Sequence, residues 1–199
     1  MSEAHRDDIG AKLGMWLFLF TELLLFGGLF ILYGVYLARY PEEFASGGRE
    51  LNLSFGTVNT VVLLTSSLFV ALAVSAVQRG AKRLTEGLLI ASIASAALFM
   101  VNKFFEWRAK FHHDLFPGSA RLKAGPVGED TFFSLYYLTT GLHGLHVIIG
   151  AVLLGWVLMK VRQGKIDAQR YVALENAGLY WHLVDLVWIF VFPLYYLIL

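Results

Sequence analysis

The sequence contains no cysteine, so it offers neither a disulfide framework nor a thiolate for metal or redox chemistry. Charge is scarce too: Asp, Glu, Lys and Arg make up 16% of the chain, against about 25% in an ordinary soluble domain. The two signs nearly cancel, to a formal +1, which removes any global pull towards nucleic acid. No secretory leader is visible. The polar opening MSEAHRDDIGAK is followed by an apolar run too long for a leader's hydrophobic stretch, so that run is expected to stay as a membrane helix. No repeat of solenoid period and no low-complexity tract breaks the chain.

What is present is apolar surface, 57% of residues, gathered into five runs. A membrane span needs about 20 mostly apolar residues. Run 13–38 carries one charge, Glu22. Run 53–78 carries none. Run 87–102 carries none and continues through Lys103 and Glu106 to Trp107. Run 131–159 holds only His143 and His146, and run 176–199 holds His182 and Asp185. Helices apolar all round are membrane spans, because no face is owed to water. The pattern predicts one all-α domain over 1–199, a polytopic bundle of five transmembrane helices at about 12–39, 53–79, 84–110, 131–160 and 172–198.

The connecting loops predict orientation. Arg79, Lys82 and Arg83 lie between spans two and three, and Lys160, Arg162, Lys165 and Arg170 between spans four and five. Short basic loops mark the cytoplasmic side, which puts the N-terminus in the cytoplasm and the C-terminus outside. Small residues in span three (Ala91 to Ala97) and span four (Gly141, Gly144, Gly150, Ala151, Gly155) predict close helix contacts. Trp16, Trp107, Trp156 and Trp181 fall near span ends, where indole sits at headgroup level. Lys103 and Glu106 are expected near the outer end of span three, with Lys103 snorkelling outwards and paired to Glu106. Glu86 with Arg83 makes the matching pair at the inner end. These are read as interfacial anchors.

Ionisable residues inside a membrane are costly and are functional candidates by default. At about 1.5 Å per residue, Glu22 lies roughly 14 Å into its span and His143 roughly 18 Å into its own. His182 and Asp185 lie at similar depth, with His146 one turn from His143. The pairs His143/His146 and His182/Asp185 are each spaced i, i+3 and share a helix face. All could meet in one bundle. Three readings stay open: polar groups that fix helix packing, a proton path, or a metal or haem site.

Four segments then carry a family resemblance. Gly141-Leu142-His143-Gly144-Leu145-His146-Val147-Ile148-Ile149-Gly150 and Tyr180-Trp181-His182-Leu183-Val184-Asp185-Leu186-Val187-Trp188 resemble subunit III of the haem–copper respiratory oxidases. So does Gly14-Met15-Trp16-Leu17-Phe18-Leu19-Phe20-Thr21-Glu22, which looks like that family's buried-glutamate motif. Lys103-Phe104-Phe105-Glu106-Trp107 is similar to its polar stretch at the end of the middle helix. The matches come in family order and cover nearly the whole chain.

The resemblance implies a non-catalytic subunit of a proton-pumping terminal oxidase that reduces oxygen to water in aerobic respiration. It also implies a multi-pass place in the bacterial inner membrane. No metal or cofactor is then expected in this chain. Haem and copper belong to partner subunits, with subunit I in direct contact, subunit II in the same complex, and phospholipid bound. Glu22 takes the place of the family's buried carboxylate, and His143, His146, His182 and Asp185 the places of its later helix signatures. The longest members have seven spans, the first two forming one wall of a lipid-holding cleft. This chain begins at the equivalent of their third, so a complete cleft would need helices from another subunit. Cytochrome c is the expected donor. The rivals are a quinol oxidase subunit, a nitric oxide reductase accessory protein and a small transporter.

Overall fold

The computed structural model describes residues 8–197. They form an all-α bundle: α1 (Asp8–Arg39), α2 (Pro41–Arg49), α3 (Leu53–Gln78), α4 (Lys82–His112), α5 (Ala120–Ala124), α6 (Val127–Arg162) and α7 (Val172–Tyr196). Five of these, α1, α3, α4, α6 and α7, are long and apolar enough to cross a membrane. They correspond to the five apolar runs.

Helix ends differ from the sequence-based boundaries because apolar counting stops at the first charge, whereas the backbone does not. α6 begins at Val127, with Glu129 and Asp130 in its first turn, and ends with Lys160 and Arg162 in its last. Both placements suit the helix dipole. α4 likewise extends to Lys82 and His112. The predicted end of the last span at 198 lies outside the described residues. Two short helices occupy stretches read as loops. α2 starts on Pro41, whose fixed φ and missing N–H suit a first helical position. α5 is capped by the Ser119 hydroxyl, which accepts from the Leu122 amide at 3.3 Å.

Two left-handed glycines make the tight reversals. Gly80 (φ +71°) ends α3, with the Ala81 amide donating to the Ala76 carbonyl at 2.9 Å. Gly164 (φ +68°) ends α6, with the Lys165 amide donating to the Lys160 carbonyl at 3.0 Å. Each satisfies carbonyls that a helix end would orphan.

α7 is the centre of the bundle and packs on α1, α3 and α6, while α4 closes the ring against α3 and α6. Among the described residues the α1 backbone makes no close approach to α3 or α4. Its buried residues are Leu19, Phe26 and Tyr33, a single stripe at heptad spacing that rests on α6 and α7. Much of the rest of α1, including Leu17, Phe20, Leu24 and Ile31, is exposed apolar surface suited to lipid. α3 and α4 approach closely enough for the Ser66 and Ser92 hydroxyls to donate to each other's backbone carbonyls at 3.3 and 3.4 Å.

Candidate functional site

The polar groups of the bundle fall into separate sites. The first joins α1 to α6. His146 Nδ1 lies 2.8 Å from the Leu142 carbonyl, and Nε2 lies 2.9 Å from Glu22 Oε2. Phe26 meets the imidazole edge-on at 5.1 Å. The backbone contact sets the tautomer: a carbonyl only accepts, so Nδ1 carries a proton and Nε2 faces the carboxyl.

The second site joins α3 to α7. The Ser67 hydroxyl lies 2.6 Å from His182 Nδ1. Asp185, 3% exposed, sits beside Ser67, but neither carboxyl oxygen has a hydrogen bond of good geometry among the described residues. On α6, one turn from His146, His143 is fully enclosed, with Phe99 edge-on at 5.5 Å and Trp188 at 5.1 Å. Both its ring nitrogens lack a partner among the described residues. Glu22, His143, His146, His182 and Asp185 therefore do not converge on one centre. Among the described residues no three His, Asp or Glu side chains gather as a metal would need.

The largest polar cluster lies where interfacial anchors were expected. Lys103 and Glu106 do pair, at 2.8 Å, but both are buried, at 5% and 2% exposure. Lys103 does not snorkel, because the protein supplies what water would. Its ammonium donates to Tyr136 Oη at 3.0 Å and Tyr196 Oη at 3.1 Å, and faces the Tyr136 and Trp188 rings at 5.0 and 5.5 Å. Glu106 Oε1 accepts from Tyr136 at 2.9 Å and Tyr196 at 2.6 Å, and Lys110 lies 3.6 Å from it. Three helices, α4, α6 and α7, thus share one carboxylate.

Sequence reading missed Tyr136, Tyr196, Lys110 and Ser67. The i, i+4 spacing of Glu106 and Lys110 was a visible signal. The tyrosine partnerships join residues far apart in the chain and left none.

Two other anchors differ from expectation. Trp181 is wholly buried and not at headgroup level, because its ring lies on Gly150 and its Nε1 donates to Ser66 Oγ at 3.1 Å. Glu86 pairs across helices with Arg162, at 3.7 Å. The start of α4 meets the end of α6 there, and Lys82 Nζ also donates to the Arg162 carbonyl at 2.8 Å. Trp16 is largely exposed, and Trp107 is half-buried against Tyr137. Trp16, Leu19, Leu23, His182 and Leu186 line an apolar groove of about 450 Å³ between α1 and α7. It continues past Trp16 and His182 into a second of about 410 Å³, whose mouth holds the Lys12–Glu175 ion pair at 2.7 Å.

The sequence model of the family described as cytochrome c oxidase subunit III matches residues 3–198. Cytochrome c oxidase subunit 3 of Thermostichus vulcanus is 31% identical over 199 residues, covering 100% of this chain and 92% of that protein. Cytochrome bo(3) ubiquinol oxidase subunit 3 of Pseudomonas aeruginosa is 31% identical, over 97% of this chain and 88% of its own. The heme-copper oxidase subunit I+III of Aeropyrum pernix is 32% identical over 92% of this chain, which spans only 22% of that longer protein.

Proposed function

The chain belongs to the cytochrome c oxidase subunit III family, and we propose that it serves as the non-catalytic subunit III of a proton-pumping terminal oxidase in a bacterial inner membrane. The complex reduces oxygen to water at haem and copper centres held by subunit I and subunit II. This chain holds no redox centre of its own. The imidazoles support that reading. Both nitrogens of His146 are engaged within the chain, and His143 is sealed between Phe99 and Trp188. Neither offers a metal an open donor beside a second ligand.

The observation that carries the assignment is the Aeropyrum relative, whose name joins subunits I and III in one protein. A covalent fusion keeps two chains together that otherwise meet by lateral packing in the membrane. The exposed apolar faces of the bundle supply the surface for such packing. The groove between α1 and α7, with its ion pair at the mouth and apolar length beyond, suits a bound phospholipid. Purification in mild detergent is expected to bring down a larger haem-bearing chain in fixed ratio. A haem-free homo-oligomer would refute the assignment.

A second reading keeps the same subunit and changes the donor. The ubiquinol and cytochrome c oxidase relatives are equally similar, at 31% each. Turnover of the purified complex with reduced cytochrome c, against turnover with a short-chain ubiquinol, decides between them; cytochrome c is the expected donor.

A further inference from the structure

Two grooves meet at His182. The apolar groove between α1 and α7 and the polar-mouthed one beside it share His182 and Trp16 as walls, and the second also reaches α3 at Ala71 and Val74. Asn176 lines the polar-mouthed groove and also a third hollow of about 270 Å³, which lies against Lys165 and Arg170 of the α6–α7 loop. A line of openings thus leads from that loop to an imidazole well inside the span. From Val172, where α7 starts, His182 is about 15 Å along the helix and Asp185 about 20 Å.

The two edges of the His182 ring differ. Nδ1 lies 2.6 Å from the Ser67 hydroxyl. Nε2 makes no hydrogen bond among the described residues, is not enclosed, and opens on the grooves. Asp185, one turn along α7, sits on the other side of the relation: beside Ser67, with both carboxyl oxygens sealed from solvent. An ionised carboxylate sealed at this depth is costly, so the neutral acid is the resting form. Water in the groove cannot touch that acid. It can touch Nε2. The Ser67 hydroxyl, both donor and acceptor, is the group that joins them. The Glu22–His146 pair has no such outlet, because both of its imidazole nitrogens are engaged within the chain.

We propose that Asp185, Ser67 and His182 form a proton-exchange site, in which the sealed carboxyl trades its proton with water in the groove through the serine hydroxyl and the imidazole. At rest the Asp185 O–H donates to Ser67 Oγ, the Ser67 O–H donates to His182 Nδ1, and Nε2–H faces the groove. On release, a groove water takes the Nε2 proton and becomes hydronium. Nδ1 takes the Ser67 proton, and Ser67 takes the Asp185 proton. Three bonds to hydrogen break within the chain of groups, and three form, the last of them on water. No electron moves. Asp185 is left as a carboxylate that accepts from Ser67, and His182 is left neutral with its proton on Nδ1. Uptake runs the same steps backwards. The hydronium leaves by the polar mouth, where the Glu175 carboxylate stands. The site therefore exchanges one proton with the side of the membrane that holds the α6–α7 loop.

The test uses the full chain in phosphatidylcholine nanodiscs, with the side-chain carboxyl of its aspartates carbon-13 labelled, followed by infrared spectroscopy as the buffer is changed to deuterium oxide. A carbonyl stretch of a protonated carboxylic acid is expected in the wild type and absent from Asp185→Asn. Its deuterium shift should be complete while the backbone amides of the spans are still unexchanged. Ser67→Ala and His182→Phe should each slow that shift about a hundredfold, the loss expected when a positioned proton carrier is removed. Ser67→Thr restores a hydroxyl and should exchange at the wild-type rate, which a purely structural role for Ser67 would not require. A wild-type acid band that exchanges no faster than the span amides overturns the proposal without need of any variant. So does an acid band that survives in Asp185→Asn, or a Ser67→Ala band that shifts as fast as the wild type's, because water then reaches the carboxyl directly. The signal is read on this chain alone, so its outcome is separate from that of the subunit assignment.

Discussion

Replacing Glu106 by alanine tests whether the buried cluster holds the bundle together. Glu106 takes hydrogen bonds from Lys103 at 2.8 Å, Tyr136 at 2.9 Å and Tyr196 at 2.6 Å, with Lys110 at 3.6 Å. Alanine would leave two buried ammonium groups and two phenols without their anion. Removing one partner of a buried ion pair costs about 3–5 kcal/mol, because the stranded charge keeps its desolvation penalty. Against a typical total of about 5–15 kcal/mol, that is a large share of the stability. Glu106→Gln keeps an acceptor oxygen and loses the charge, and should cost about 1.5–3 kcal/mol. The triple change Lys103→Met, Glu106→Leu, Lys110→Met removes all three charges and should recover most of the loss, since apolar replacement of buried ion pairs is often neutral. Denaturant unfolding in mixed micelles, followed by far-UV circular dichroism, measures each variant. If Glu106→Ala lies within about 1 kcal/mol of wild type, the cluster is worth no more than an exposed ion pair, and the reasoning fails.

Glu22→Gln should preserve the link to His146, leaving oxygen consumption and proton release by the reconstituted complex near normal; Glu22→Ala should loosen assembly by stranding the imidazole. A Gln variant that assembles fully but loses proton uptake would contradict this. Gly150→Val should cost about 1–3 kcal/mol through overpacking, since even a bare Cβ would come 2.7 Å from the Trp181 ring; an unchanged melting temperature would refute it. In the α6–α7 loop, hydrogen bonding from Arg170 holds the Asp167 carboxyl below the usual carboxylate range. A depressed value contributes stability above the unfolded carboxyl pKa and loses it as pH falls through the folded one. The loop should therefore become more protease-sensitive only under acid conditions, a change that Asp167→Asn removes. Single cysteines at Lys123 and Gln163 should differ in labelling by an impermeant thiol reagent on intact cells, with Lys123→Cys the reactive one if the basic loops face the cytoplasm.

The five spans were legible because each must be apolar over its whole length, a property that local sequence carries. So were Gly150 and Ser92 as small residues at helix contacts, though not the partners they meet, Trp181 and Ser66. The depth of Lys103 was not. Its position near a span end fits snorkelling, and only Tyr136 and Tyr196, at distances of 33 and 93 residues along the chain, make burial tolerable. Trp181 was misplaced for the same reason. An indole near a helix end belongs at the interface unless a neighbouring helix offers it a glycine and a hydroxyl, and that neighbour is set by topology. The midplane groups were found individually, but i, i+3 spacing only says that His182 and Asp185 share a face. It does not show that the face meets Ser67 on α3.

The Glu22–His146 pair shows what such a buried contact can and cannot do. With Nδ1–H committed to the Leu142 carbonyl, two arrangements remain across the 2.9 Å gap. Either a protonated Glu22 donates to a bare Nε2, or an imidazolium donates to a carboxylate. Both contain one proton between the groups, and both have zero net charge. The pair can therefore sit in hydrocarbon without a counter-ion, which an isolated carboxylate could not do. α1 has few other polar ties to the bundle: Tyr33 donates to the Leu194 carbonyl, Ala11 O accepts from Asn176, and Lys12 pairs with Glu175. Holding α1 against α6 is work that a neutral pair performs in either proton arrangement. A Gln amide performs it as well, by donating its N–H to the same Nε2 lone pair. Moving a proton onward would need a next group within reach, and neither nitrogen of the nearest imidazole on the same helix, His143, has a hydrogen-bond partner among the described residues. The geometry thus favours a latch between helices over a conducting step, and the Gln substitution separates the two.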